Sequence, residues 1–191
     1  MVRQLRDHGT GLLRWSGAVE GLRQRARHPA EHPGLVATAA VNSWTVLPAF
    51  ASVDWHEDGA DQIAVRLLER GVKVEAGVWN VEGLAAWRRS PHRSRRLRVL
   101  VELPDLGDRD EVVAQATELV DSVRSIAPEV AILLHGEDRS TRPALDLTAE
   151  WGLDTRIGLE DALLLPDGRT ARDNAELVEA ASARLGLRRP H

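Results

Sequence analysis

Cysteine and tyrosine are absent from the 191 residues, and phenylalanine, methionine and lysine each occur once. The lack of cysteine excludes disulfide scaffolds, thiolate metal sites and a cysteine nucleophile. The single lysine, Lys73, falls inside a strand pattern and leaves Schiff-base chemistry with one candidate. No apolar run approaches the eighteen or so residues of a membrane span, and the opening MVRQLRDHG lacks the apolar centre of a signal peptide. A cytoplasmic protein with no membrane partner is therefore expected. With 43% apolar and 28% charged residues, the chain is not a wholly disordered one. Its length suits one domain with a sizeable core, or a fragment of a larger one.

Charge is unevenly placed around a net of −4. Residues 1–43 hold six arginines against three acids, whereas residues 44–191 hold 19 basic against 26 acidic groups. The body is thus electrostatically unsuited to nucleic acid, and no nucleic-acid partner is expected.

The two segments also differ in pattern. Residues 1–43 form a poorly patterned basic segment, with helices expected at about 18–27 and 35–43. From residue 44 to 191, strand and helix patterns alternate. Strands are expected at 47–55, 72–79, 97–103, 130–134 and 154–158. Helices are expected at 60–70, 80–87, 109–126, 142–151 and 173–185, with Asn80 as an N-cap and Gly71, Gly152 and Gly186 as closing residues. Strands joined through single helices run parallel, which leaves two architectures open: a doubly wound sheet and a (β/α) barrel.

In both, functional groups gather beyond the carboxyl ends of the strands. Those ends carry Asp54, His56 and Glu57, then Glu75, Trp79 and Asn80, then Glu102, then His135, Glu137 and Asp138, and finally Arg156, Glu160 and Asp161. The densest cluster is RIGLEDALLLPDG at 156–168. Such a trio of one cation and two carboxylates suits binding an anion, ligating a metal or removing a proton; an Arg–Asp ion pair beside a capping acid is the simpler structural reading. His28-Pro-Ala-Glu31-His32 fits a zinc-peptidase spacing, but Pro29 and Pro33 oppose the helix it needs. His56 reads as a packing or capping group. The arginine-rich RRSPHRSRRLR at 88–98 reads as a solvated loop on the amino face, and the six tryptophans as core and rim packing.

DTRIGLEDALLLPDGRTARDNAELVEAASARLG (154–186) closely resembles the C-terminal end of the β-keto acid cleavage enzymes, which include 3-keto-5-aminohexanoate cleavage enzyme. WTVLPAFASVDWHEDGA (44–60), GVKVEAGVW (71–79), LRVLVEL (97–103) and ILLHGED (132–138) resemble further segments of that family in the same order. The resemblance implies a TIM-type (β/α) barrel whose last five of eight units are those here, so a partial barrel is expected, N-terminally truncated or divergent. It implies a metal-dependent acyltransferase that converts a β-keto acid and acetyl-CoA into acetoacetate and a new acyl-CoA, usually with zinc. Arg156 matches the arginine that holds the substrate carboxylate, Glu160 the metal-ligating carboxylate, and Asp161 the acid–base residue. Glu75 matches a glutamate in the pocket, and His135 and Glu137 fit the substrate-binding rim. The His-x-His that supplies the family's other protein ligands does not occur in this chain. A non-catalytic remnant or a partner module for another barrel half is the alternative. An oligomer is expected, through strand edges at 47–55 and 154–158 that an unclosed sheet leaves open.

Overall fold

The computed structural model describes residues 33–186. In chain order it contains α1 (Pro33–Ser43), β1 (Phe50–Asp54), α2 (Ala60–Glu69), β2 (Lys73–Val78) and α3 (Val81–Arg89). These are followed by β3 (Arg96–Leu103), α4 (Arg109–Ile126), β4 (Ile132–Gly136), a 3₁₀ turn (Asp138–Ser140), α5 (Thr141–Trp151) and α6 (Asn174–Arg184). The helix expected at 18–27 and the His28–His32 spacing lie outside the described residues.

Local chemistry sets most boundaries. Asn80 accepts the Gly83 N–H at 2.8 Å and so starts α3. Asp108 does the same for Asp110 at α4, and Asp173 for Glu176 at α6. Gly152 ends α5 at φ 66°, a left-handed conformation that a side chain resists.

All four strands are parallel and ordered β1-β2-β3-β4, with no reversal. A doubly wound sheet requires a reversal at its switch point. Side chains alternate across the sheet. Ala51, Val53, Val74, Ala76, Val78, Val99, Val101, Leu103, Ile132 and Leu134 share one core with Ala64, Leu67, Trp87, Ala116, Leu119 and Val123 of the helices. The alternate positions point to the other face.

Two expectations are corrected here. β4 begins at Ile132 rather than 130, because the Val130 N–H is used in a turn to the Ala127 carbonyl. His135 and Gly136 consequently belong to the strand. The fifth strand expected at 154–158 shrinks to a single bridge, Asp154 to Leu133. Ile132 and Leu134 pair with Asp154 through their backbones, but the Thr155 hydroxyl then takes the Leu134 carbonyl at 2.8 Å. That carbonyl is the one the next ladder bond would use, so the side chain ends the pairing.

Candidate active site

The face away from the helices holds rows of residues set by register. Ser52, Glu75 and Arg98 are neighbours across β1, β2 and β3. Ser52 donates to Glu75 Oε1 at 2.8 Å, and Arg98 Nε pairs with Glu75 Oε2. Glu75 is fully buried and Arg98 nearly so, and Arg98 also stacks over the Phe50 ring at 5.4 Å. Both oxygens of Glu75 are therefore engaged. Arg98, read as part of a solvated run, is instead turned inward by the strand alternation; within that run Arg96 lies over Trp87 at 5.6 Å.

The second row lies roughly 13 Å further along β3, four residues at about 3.3 Å each. Glu102 and His135 are register partners on β3 and β4, and Glu102 Oε2 lies 3.0 Å from His135 Nε2. Arg156 Nη2 donates to the same Glu102 oxygen at 3.3 Å and stands 3.8 Å from Asp161 Oδ1. His135 Nδ1 lies 3.3 Å from Asp161 Oδ1. That approach is an ion-pair distance without hydrogen-bond alignment, since Nδ1 has no hydrogen-bond partner among the described residues. The same holds for Arg156 Nε and Asp161 Oδ2. Two carboxylates, a guanidinium and an imidazole thus form one compact quartet.

Its charges are coupled. Burial works against ionising Glu102 and Asp161, but His135 and Arg156 beside them hold both carboxyls below their ordinary range. Burial, and then the Arg156 charge, work against protonating His135; its approaches to Asp161 and Glu102 outweigh both and raise its pKa. Burial also opposes the charge of Arg156, which its surrounding carboxylates, Glu102 first, restore. Glu137, half-buried at the rim, is pushed upward by burial and then by the charge of Glu102.

The protonated His135 contributes stability fully below its ordinary value of 6.5, and that contribution is lost as pH rises through its higher folded value. The ionised Glu102 contributes above its ordinary 4.5, and that is lost as pH falls through its lower folded value. The quartet should therefore support the fold most between these limits. Urea midpoints measured from pH 5 to pH 9 should decline on the alkaline side; a flat alkaline limb would show that His135 is not charged.

The remaining expected residues are more scattered. Glu160 is exposed, its carboxylate folded back over Gly158, where an added Cβ would meet Oε2 at 2.6 Å. His56 is exposed and packs edge-on against the Trp79 ring, with centroids 5.7 Å apart. Among the described residues, no group of three or more histidines and carboxylates could hold a metal ion. A zinc ion needs about three protein ligands even in an open site, so the described donors do not fit one.

The loop after β4 wraps the backbone of Asp161. Asp138 donates its N–H to the Asp161 carbonyl at 2.6 Å, and Thr141 Oγ1 donates to Gly136 O at 2.7 Å and to Asp161 O at 3.3 Å. Asp138 adopts φ 44° to do so. Gly136 has no room for a side chain, as a Cβ there would sit 2.7 Å from the Ser140 backbone. Gly136→Ala should cost about 1–3 kcal/mol, seen as a lower urea midpoint, with the loop displaced from Asp161.

Glu102 links β3 to the quartet, and its position at a strand end was its only signal in the sequence. Against this geometry, the family model described as BKACE, beta-keto acid cleavage enzyme, matches residues 9–187. The match begins at residue 9, well ahead of the resembling segments that start at residue 44. No curated protein matches the chain.

Proposed function

Because the chain belongs to the beta-keto acid cleavage enzyme family, we propose that it is an acyltransferase acting on a β-keto acid and acetyl-CoA, with its site on a partial TIM-type barrel. The products are acetoacetate and the CoA thioester of the remaining acyl fragment. Each side of the exchange carries one β-keto acid and one thioester, so no oxidant or further reactant is needed.

The observation that carries this reading is the unpartnered Oδ2 of Asp161, on an ionised carboxylate beside a partly exposed guanidinium. Arg156 keeps 23% of its side chain exposed, which suits a grip on a substrate carboxylate by its guanidinium, while its Nε–H is buried and has no partner among the described residues. With the substrate so held, Asp161 removes a proton from the methylene between ketone and carboxylate. Glu137, half-buried beside the quartet, serves the substrate rim in this reading. Glu75, with both oxygens engaged by Ser52 and Arg98, supports the sheet beside the quartet and does not meet the substrate.

Glu160 is the one carboxylate here that the family pattern assigns to zinc. A zinc ion would need further donors from outside the described residues or from another chain, and no step above depends on one. The shortfall of donors also favours a second reading, a partner module that becomes active only when paired with another barrel segment. We place the protein in the cytoplasm, as an oligomer.

The test is direct. Purified chain is incubated with acetyl-CoA and a panel of β-keto acids, with and without added zinc, and new CoA thioesters are read by mass spectrometry. A substrate-dependent thioester confirms the transfer. None under either condition overturns catalysis by this chain alone.

A further inference from the structure

The loop that follows β4 has no place yet in the reaction. We propose that this loop, with the end of β4 and the start of α5, is a clamp for Asp161, in which His135 positions the carboxylate and Thr141, with the Asp138 N–H, fixes its main chain. His135 is thus a positioning residue rather than part of the substrate-binding rim. This rests on the reading of Asp161 as the base.

Three observations converge on it. His135 is buried with its Nε2 taken up by Glu102, so the one polar ring atom left, Nδ1, is the one that faces Asp161. Its ring lies between two carboxylates, with Nε2 toward Glu102 and Nδ1 toward Asp161 Oδ1. The 3.3 Å approach of Nδ1 places the imidazole against Oδ1, and Oδ2 is left without a hydrogen-bond partner among the described residues.

The backbone is held as tightly as the side chain. The Asp161 carbonyl receives the Asp138 N–H and, at 3.3 Å, the longer arm of the Thr141 hydroxyl bond whose shorter arm reaches Gly136 O at 2.7 Å, and the Asp161 N–H donates to Gly158 O at 3.0 Å. A non-glycine residue at φ 44° is uncommon, and here it is the residue whose N–H meets the Asp161 carbonyl. Gly136 completes the arrangement, because only a residue without Cβ lets the chain turn back against Ser140. β4 therefore supplies both the charge that orients the carboxylate and the turn that fixes its backbone.

A displaced base costs chemistry more than binding. A misplacement near 1 Å lowers rates by about a hundred-fold. His135→Gln and Thr141→Val should each lower kcat by about that factor and leave KM for the β-keto acid within about three-fold. Thr141→Ser, which keeps the hydroxyl, should restore kcat. A raised KM at unchanged kcat in His135→Gln would return His135 to substrate binding. Equal activity of Thr141→Val and Thr141→Ser would remove the main-chain clamp, even where His135→Gln fails to fold.

A second measurement needs no turnover. The ¹⁵N resonances of the His135 ring, assigned by their loss in His135→Gln, should show two protonated nitrogens, with Nδ1 shifting in Asp161→Asn. An Nδ1 resonance unmoved by that substitution sinks the clamp. A wild-type chain that makes no thioester yet shows the Nδ1 shift overturns the assigned reaction and leaves the clamp intact.

Discussion

Asp161→Asn should lower CoA-thioester formation by about 10²–10⁴-fold, the range removed with a positioned general base. The carboxamide keeps the shape of the side chain but accepts no proton at the position of Oδ2. Because Arg156 reaches Glu102 as well as Asp161, substrate carboxylate binding should largely survive. The expected signature is a collapse in kcat with KM little changed. Asp161→Glu should not rescue it, since one added methylene moves the carboxylate away from both His135 and Arg156. Single-turnover quench experiments with each variant provide the measurement. A variant that retains more than a tenth of the wild-type rate would require a different base, and Glu137, with its raised pKa, would be examined next.

The largest effect on stability is expected at Arg98. Arg98→Met removes the cation from a pair whose carboxylate, Glu75, is wholly enclosed. Breaking a buried pair from one side costs about 3–5 kcal/mol, because the partner remains charged without compensation. For a chain of this size that corresponds to a fall in Tm of roughly 6–20 °C. Replacing both residues, Glu75→Gln with Arg98→Met, should recover most of the loss, because neither position then buries a charge. Urea melts of the wild type, the two single variants and the double variant complete the cycle. A double variant as unstable as Arg98→Met alone would show that packing around Phe50, rather than charge, dominates at this row.

Much of the framework was readable from periodicity and capping chemistry. Asn80 starts its helix with a side-chain acceptor as its position indicates, and α4 runs from Arg109 to Ile126 as its apolar stripe indicates; the equivalent caps Asp108 and Asp173 are seen in the structure alone. The alternating units were equally clear, and with them the expectation of parallel pairing. The fifth strand was not readable, because its fate turned on which group bonded one carbonyl. DTRIG has strand-like composition, yet the Thr155 hydroxyl ends the pairing after Asp154. Arg98 escaped for a related reason. A run of arginines looks solvated when read by composition, whereas strand alternation turns one of them inward onto Glu75. In the site itself, the RIGLED motif located Arg156 and Asp161, and their partners came from separate strands. Glu102 and His135 meet only because β3 and β4 adopt a particular register, which no local pattern encodes.

The sequential strand order has a consequence for how the protein is made. Each strand after β1 pairs with the one before it, so each unit emerging from a ribosome finds its neighbour already present. β1, β2 and β3 complete the Ser52–Glu75–Arg98 row first, and β4 then brings His135 to Glu102. Arg156 and Asp161 arrive last, well after β4 has docked. A nascent chain halted before residue 154 would therefore hold half of the quartet without its base or its guanidinium. Assembly of the quartet would thus trail assembly of the sheet.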